Sequence, residues 1–383
     1  MFDKKTHGIA IPVMFLICIG ILMVYSSTAL MSTEKYDSAF RYLWRHLFTI
    51  IIGFIVMFSL AEVDYHKLRV FVIPLLVLSV ILLILVFVPG IGVSAGAGSG
   101  VKRWIKLWPS TFQPSELVKI SVVLFLADYM AKNEWRMKNP RYGIIIPFCI
   151  VAVFQGIILL QPDFGAVMSL AVLTVILLFL GGVNWRYLAA LALLSLPVIY
   201  KLIWSVPYRK DRIMAFWDPW EDHLGKGFQL CQSFIAFGRG GIKGVGIGAS
   251  KQKLFYLPEL HTDFVFSIIG EEMGLIGVSA VLVLFIWFFI KGVKIAAKTE
   301  DSFGYYLATG LTMMIVIQGL INFAVSIGLM PTKGLPLPFI SYGGSALLIN
   351  MAAVGILINM QKTLNAKQWT VDRVHYPRRL GKR

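Results

Sequence analysis

Long apolar runs recur along almost the whole length of this 383-residue sequence. A helix needs about 20 apolar residues to cross the hydrocarbon core of a bilayer, so each run predicts a membrane span. Only 15% of the residues are charged, whereas soluble domains have about a quarter. We therefore expect an all-α polytopic membrane protein with ten spans, at about residues 8–31, 43–62, 68–88, 114–131, 142–161, 164–183, 186–205, 264–291, 303–328 and 341–360.

The distribution of basic residues predicts the orientation. Ten spans leave both termini on one side, and Lys and Arg collect in cytoplasmic loops. A membrane domain at residues 1–363 is followed by a basic tail, 364–383, and the short loops on the tail's side contain Lys67, Arg69, Lys132, Arg136, Lys138, Arg141, Arg186, Lys294 and Lys298. Both termini are therefore expected in the cytoplasm. The same pattern explains the net charge of +16, so no nucleic-acid partner is expected.

Three segments on the predicted outer face are unusual. The loop at 206–262, between spans 7 and 8, is far longer than an ordinary connection. Its many Trp, Phe, Tyr and Leu residues argue against disorder, and Gly227–Phe237 is predicted to form an amphipathic helix at the interface. The segment Pro89–Gln113 begins Gly-rich and continues into a basic stretch, and Leu329–Ile340 contains three prolines. These segments are the expected location of an outer-face site.

Ionisable residues also fall inside predicted spans, where charges are costly and indicate function by default. Glu116 and Lys119 are three residues apart on one helix, so they share a face and can pair. A packing ion pair and a functional site are both open. Glu271 and Glu272 are adjacent, so their side chains point in different directions, and one of them is interpreted as structural.

Two aspartates lie at predicted helix starts. Asp163 follows a proline at a tight turn before span 6 and is interpreted as a helix cap. Asp263 stands at the N-terminus of span 8, where the helix dipole favours an anion, so a cap and a functional carboxylate are both open. His261 and Asp263 could bind a metal, but two ligands without a third are weak evidence. Cys231 has no expected partner, so neither a disulfide nor a metal–thiolate site is expected.

The segment at 238–248 is rich in glycine and contains Arg239 and Lys243. It matches neither the dinucleotide-binding nor the phosphate-loop pattern in a strand-to-helix context. A flexible basic loop and a site for the diphosphate headgroup of a lipid are both compatible with this composition.

Together these elements resemble the SEDS family of bacterial cell-wall polymerases. The strongest match runs from Asn322 through Ser345 and includes Pro331-Thr332-Lys333-Gly334 and Ile340-Ser341-Tyr342-Gly343-Gly344. Further matches are Lys102-Arg103-Trp104-Ile105, Gln113-Pro114-Ser115-Glu116-Leu117-x-Lys119, Gln161-Pro162-Asp163-Phe164-Gly165 and His261-Thr262-Asp263-Phe264. The segments 248–259 and 269–272 resemble the division branch of the family more than the elongation branch.

The resemblance implies a glycosyltransferase of the bacterial cytoplasmic membrane that polymerises lipid II for septal cell-wall synthesis and releases undecaprenyl diphosphate. It implies a class B penicillin-binding protein and other divisome membrane proteins as partners. It also assigns the essential acidic residue to Asp263 and suggests a divalent cation, Mg or Mn, although the sequence offers no closed ligand set.

The residues suit this chemistry. A diphosphate leaves without being protonated, so one base and a set of positive charges are sufficient, where hydrolysis of an ordinary glycoside needs a carboxyl pair. Asp263 is the candidate base. The candidate contacts to diphosphate or sugar are Lys102, Arg103, Glu116, Lys119, Arg239, Lys243, Lys251, His261, Lys333 and Ser341.

Two other classes of function remain open. A transporter that flips lipid II would also carry intramembrane charges, but here the charged segments cluster at one face, whereas transporter sites lie at the midplane. A non-catalytic scaffold that activates a penicillin-binding protein would not need Asp263 for glycan synthesis.

Overall fold

The computed structural model describes residues 8–94, 101–107, 110–252 and 262–375. Twelve α-helices are found in these ranges: α1 Ala10–Tyr36, α2 Arg41–Glu62, α3 Val72–Leu85, α4 Pro114–Lys132, α5 Ile146–Leu160, α6 Phe164–Leu180, α7 Trp185–Trp204, α8 Pro207–Trp217, α9 Phe228–Gly240, α10 Val265–Lys298, α11 Ser302–Ser326 and α12 Gly344–His375. A 3-10 turn, Tyr65–Phe71, precedes α3, and a π-helical turn, Arg141–Ile145, precedes α5.

Eight helices of the described part are long and apolar enough to cross a membrane. The other two predicted spans are also helices. Of these, α6 has only 17 residues, and α4 carries the charged residues Glu116, Lys119, Asp128 and Lys132. Ion pairs compensate these charges, because Glu116 pairs with Lys119 and Asp128 pairs with Lys132 and with Arg69. The prediction of an all-α polytopic membrane protein is confirmed.

Among the eight candidate spans, α11 and α12 are the most buried, with 78% and 83% of their apolar stretches buried. They pack against α4 and α2 respectively. A small residue permits the close contact between α2 and α12, because a Cβ at Gly355 would lie 2.4 Å from the Met57 carbonyl oxygen. By contrast, α7 is only 6% buried and contacts little besides α6 and α8. α12 continues past residue 363, so the predicted boundary of the tail falls inside a helix.

A small antiparallel sheet lies in the segment predicted to be unusual after span 3. Its strands are β1 Gly92–Ser94, β2 Lys102–Leu107 and β3 Ser110–Phe112, with β2 in the middle. Val93 pairs with Trp104, and Lys106 pairs with Thr111. The sheet fixes β2, and therefore Arg103, against the end of the bundle at which α4 begins.

The long loop at 206–262 contains two of the helices, α8 and α9. α9 confirms the helix predicted at Gly227–Phe237, and it packs against α10 and α11 through buried residues. Within this contact Ser233 shares a hydrogen bond of 2.6 Å with Ser267 and donates to the Ser326 carbonyl. α9 is therefore part of the protein core beside the first turns of α10.

Candidate active site

A cleft of about 180 Å³ opens between α6, α7, α8 and the segment 331–334. Its polar wall carries four basic side chains and one carboxylate: Arg103, Arg209, Arg212, Lys333 and Asp163. Its apolar wall includes Met168 of α6 and Ile199, Ile203 and Ile213 of α7 and α8. The cleft thus joins a positively charged region to an apolar surface beside a lightly packed membrane helix.

The corner between α5 and α6 positions the first part of this wall. Arg103 donates to the carbonyl oxygens of Gln161 and Pro162 at 3.1 and 2.7 Å. Asp163 accepts from the Ala166 backbone N–H at 3.1 Å and from the side chain of Gln113 at 3.1 Å. The prediction that Asp163 caps α6 is confirmed, and the same carboxylate also lines the cleft.

α8 contributes two arginines. Arg209 donates to the Leu202 carbonyl at 2.8 Å, near the C-terminus of α7, and Arg212 donates to the Thr332 carbonyl at 2.9 Å. Burial, with a smaller contribution from the nearby charge of Arg103, lowers the pKa of Arg209. Sequence reasoning missed both arginines. The available signal was two arginines three residues apart, directly after Pro207 in the long loop.

Lys333 lies over the start of α6. A Cβ at Gly165 would be 3.8 Å from the Lys333 Cβ, which is an ordinary van der Waals distance, so the two segments are neighbours. Burial lowers the pKa of the Lys333 amine, which is consistent with an amine enclosed by the cleft walls. Lys333 and Arg103 are the two residues predicted from the sequence that line the cleft.

Asp263 is fixed beside the same segment. The Asn322 amide donates to the carbonyl oxygens of Asp263 and Leu335, both at 2.8 Å. A Cβ at Gly334 would lie 3.3 Å from Asp263 Oδ2, so the carboxylate is next to the residue after Lys333. α10 begins at Val265 with Phe264 at the N-cap position, so Asp263 precedes the cap. Asp263 is therefore not the N-cap residue of α10, and its functional role stays a prediction.

Glu116 and Lys119 form an ion pair of 2.8 Å inside the bundle, with both side chains buried. Lys119 also donates to Gln318 Oε1 at 2.7 Å, and Gln318 donates to the Pro336 carbonyl at 2.8 Å. The predicted pairing of Glu116 and Lys119 is confirmed. Neither residue lines the cleft, and their contacts connect α4 and α11 with the segment that follows Lys333.

The remaining candidates lie elsewhere. Arg239 pairs with Glu271 at 3.1 Å, and Ser341 accepts from the Leu337 backbone N–H at 2.8 Å. Lys243 and Lys251 are exposed, and Lys102 is half-buried on β2. None of these five side chains lines the cleft. His261 lies outside the described residues.

Comparisons with known proteins agree with the resemblance. A family model for cell cycle proteins, FtsW/RodA/SpoVE, matches residues 7–366. The chain is 43% identical over 349 residues to the probable peptidoglycan glycosyltransferase FtsW of Geobacter sulfurreducens (strain DL-1 / KN400), covering 91% of this chain and 93% of that protein. It is 38% identical over 365 residues to stage V sporulation protein E of Bacillus subtilis (strain 168), covering 94% and 99%.

Solved structures share the fold. A chain from a peptidoglycan synthase complex that coordinates polymerization and crosslinking has a TM-score of 0.76 and 26% identity, covering 95% of this chain and 99% of that chain. The rod shape determining protein RodA of Thermus thermophilus has a TM-score of 0.68 and 24% identity, covering 94% and 98%. The protein therefore belongs to the FtsW/RodA/SpoVE family of cell cycle proteins.

Proposed function

We propose that this multi-pass membrane protein is a peptidoglycan glycosyltransferase that polymerises lipid II at the cleft beside Asp263. The activity follows from the names of relatives that match almost the whole chain. One observation supports the location: the Asp263 carboxylate lies against Gly334, and the neighbouring Lys333 lines a cleft with three arginines. A base and a set of cations are the two requirements of this reaction.

In the proposed step, the GlcNAc 4-hydroxyl of one lipid II attacks C1 of the MurNAc of a second chain. A bond forms between that oxygen and C1 while the bond from C1 to the diphosphate oxygen breaks. The hydroxyl proton passes to Asp263, and the electron pair of the broken bond leaves with undecaprenyl diphosphate. Positioned cations stabilise charge that develops on the leaving group, which is a large contribution to catalysis in such sites.

The cleft walls suit the two halves of the leaving group. The diphosphate would contact the basic side chains of the polar wall, which are Arg103, Arg209, Arg212 and Lys333. A guanidinium group can donate two parallel hydrogen bonds to two oxygens of one phosphate. Met168, Ile199 and Ile203 would contact the first prenyl units. Since α7 is so little buried, the prenyl chain could continue from the cleft into the bilayer between α6 and α7.

A divalent cation would bind between the diphosphate and a carboxylate. The described ranges contain no group of three or more His, Cys, Asp or Glu side chains able to hold an ion by themselves. This arrangement fits Mg²⁺, which often takes one or two carboxylates together with substrate phosphates. Asp163 lines the cleft and Asp263 lies against Gly334, so these two carboxylates would supply ligands. The ion would add positive charge next to the leaving group.

We also propose a class B penicillin-binding protein as the partner, by analogy with the peptidoglycan synthase complex that shares the fold. Other divisome membrane proteins and a location at the septum follow from the similarity to FtsW. Cytoplasmic termini follow from the distribution of Lys and Arg, and this orientation places the cleft on the outer face.

Purified protein, mixed with its penicillin-binding partner and labelled lipid II, tests the function. We expect long glycan chains whose formation continues when the transpeptidase is inhibited. If instead lipid II crosses the bilayer of reconstituted vesicles and no glycan is made, the protein is a flippase. If the Asp263→Asn variant makes glycans as well as the wild type does, Asp263 is not the base. Omitting this protein from the mixture then distinguishes the two remaining cases, since glycan made by the partner preparation alone would identify the protein as a scaffold.

A further inference from the structure

We propose that Glu271 is a positioning residue for the glycosyl transfer reaction. Its side chain binds residues on both sides of the glycine-rich turn, within the segment 239–252 that we call the glycine-rich loop from here on. This contact holds the first segment of α10, Val265–Met273, which begins two residues after Asp263. The inference rests on the proposed role of Asp263 as the base. It also gives the glycine-rich loop a function different from the diphosphate site considered in the sequence analysis.

The first segment of α10 ends at a break in the helix. Gly274 has φ 63° and ψ −160°, which is not a helical conformation. A break of this kind leaves backbone N–H and C=O groups without their partners in the helix, and such groups are seldom left unpaired when buried.

The glycine-rich loop supplies the missing partners. The N–H groups of Val245 and Gly246 donate to the carbonyls of Glu271 and Glu272 at 2.9 and 3.0 Å. In the opposite direction, Leu275 donates its backbone N–H to the Gly241 carbonyl at 2.9 Å. The loop is therefore hydrogen-bonded to α10 on both sides of the break at Gly274. We call this set of backbone hydrogen bonds, from Gly241, Val245 and Gly246 to α10, the splint.

Two glycines in the loop are needed for this contact. Gly244 has φ +80°, and a Cβ there would lie 2.2 Å from the Glu272 carbonyl oxygen. A Cβ at Gly240 would lie 1.8 Å from the Gly270 carbonyl oxygen. Because only glycine allows backbones to approach so closely, the packing against α10 explains the glycines at these two positions.

The Glu271 side chain joins both ends of the glycine-rich loop. It is fully buried and pairs with Arg239 Nη1 at 3.1 Å, before the glycine-rich turn. After the turn it accepts from the Ser250 hydroxyl and from the backbone N–H groups of Lys251 and Gln252, at 3.2 and 3.4 Å for the latter two. Hydrogen bonds to an ionised group are among the stronger ones in proteins.

This arrangement holds the segment that precedes the break at both ends. Asn322 fixes the backbone at Asp263, and the splint fixes the residues at the break. Loosening the splint would let the short helix pivot at Gly274 and move the Asp263 carboxylate away from Lys333. A displacement of about 1 Å between catalytic and reacting groups can cost about 100-fold in rate.

Glu272 offers a matched control. It is adjacent, 1% exposed and carries the same charge, but its carboxylate accepts from the Ser26 hydroxyl of α1 at 2.6 Å. Glu271→Gln weakens the contacts between the carboxylate and the glycine-rich loop. Glu272→Gln makes the same chemical change in the adjacent buried carboxylate, which binds α1.

The experiment measures steady-state polymerisation of lipid II by the full-length variants with the penicillin-binding partner. For Glu271→Gln we expect kcat to fall about 10-fold to 100-fold while KM for lipid II is unchanged. Glu272→Gln should retain the wild-type kcat. Hydrogen exchange of the peptide backbone over 262–273 should become faster in Glu271→Gln and stay slow in Glu272→Gln.

The outcomes separate the two proposals. A wild-type protein that makes no glycan refutes the proposed function, and the exchange measurement still tests the splint. A folded Glu271→Gln variant with wild-type kcat, or with a raised KM at unchanged kcat, refutes the positioning role. If Glu271→Gln fails to fold, Ser250→Ala removes one bond of the same carboxylate, and an unchanged kcat and exchange rate in that variant refutes the positioning role equally.

Discussion

The cleft and the bundle interior both contain charged residues of the family motifs, but they use them differently. In the interior, Glu116 and Lys119 form an ion pair, and the Lys119 amine also donates a hydrogen bond to Gln318. In the cleft, four cations face a single carboxylate that already caps a helix. The Glu116–Lys119 pair has no net charge, whereas the cleft has an excess of positive charge that a bound anion would balance. Motif membership alone does not distinguish these roles.

The largest effect is expected for Asp263→Asn. Asparagine keeps the size of the side chain but cannot accept the proton of the acceptor hydroxyl. Loss of a general base usually lowers the rate about 10²- to 10⁴-fold. The measurement is glycan chain formation from labelled lipid II by the purified variant with its partner, beside thermal unfolding.

Asp37→Asn is the control for this variant. Asp37 is exposed beyond the end of α1 at φ 53°, a conformation that asparagine also tolerates, and it does not line the cleft. It should retain wild-type activity. Normal glycan chains from a stable Asp263→Asn protein would remove the base from the mechanism and leave the cleft as a binding site.

Lys119→Met should show the contrasting behaviour of the interior. It leaves the buried Glu116 carboxylate without its cation, and breaking a buried pair in this way costs about 3–5 kcal/mol of stability. Replacing both partners, Glu116→Gln with Lys119→Met, should restore much of that loss. Thermal unfolding in detergent compares the three proteins. A stable single variant with abolished polymerisation would instead assign Lys119 to the catalytic site.

Lys333→Ala tests the cleft charges. Removing one preorganised contact to developing charge costs about 3 kcal/mol in comparable sites, so we expect a large loss of turnover in a protein that remains folded. Arg103→Ala should reduce turnover similarly, with some loss of stability because Arg103 also binds two backbone carbonyls. Lys106→Ala, an exposed change on the same strand as Arg103, should have no effect. Equal turnover in all of these variants would exclude the cleft from diphosphate binding.

The lowered pKa of Lys333 predicts a pH effect of smaller size. Because burial favours the neutral amine, the charge of Lys333 is lost at a lower pH than that of an exposed lysine. Polymerisation should therefore decline on the alkaline side, and Lys333→Arg should move that decline to higher pH. The measurement is kcat as a function of pH for the wild type and for Lys333→Arg. If kcat declines at the same alkaline pH in both proteins, the decline is due to a group other than Lys333.

The smallest perturbation tests the orientation. Leu224→Cys introduces a thiol at a position 80% exposed in the outer loop, and activity should be unaffected. A membrane-impermeant thiol reagent should label it from outside intact cytoplasmic membranes. Cys231 in the same loop is buried and hydrogen-bonded to the Pro219 carbonyl, so it serves as the unreactive internal control. Labelling of position 224 from the cytoplasmic side alone would invert the topology and move the cleft away from flipped lipid II.

The sequence predicted the spans well because apolar length is a local property. The capping role of Asp163 and the pairing of Glu116 with Lys119 were also accessible, since both depend on short spacings within one helix. Arg209 and Arg212 were missed because their place in the cleft depends on α8 folding back against α6 and α7, which no local pattern encodes. The glycine-rich loop was ambiguous for the same reason: its partner, the break at Gly274, lies about 30 residues away in the chain.

The isolation of α7 has a consequence for the conditions of any assay. A helix with 6% of its apolar stretch buried depends mainly on acyl chains for its position, and two of its residues, Ile199 and Ile203, form one side of the cleft. Bilayer thickness and lateral pressure therefore act directly on the width of the site, since mismatch is relieved by tilting of the helix. Detergent micelles of different size would give different rates with the same polypeptide, and thin-bilayer vesicles would differ from thick ones in the same way.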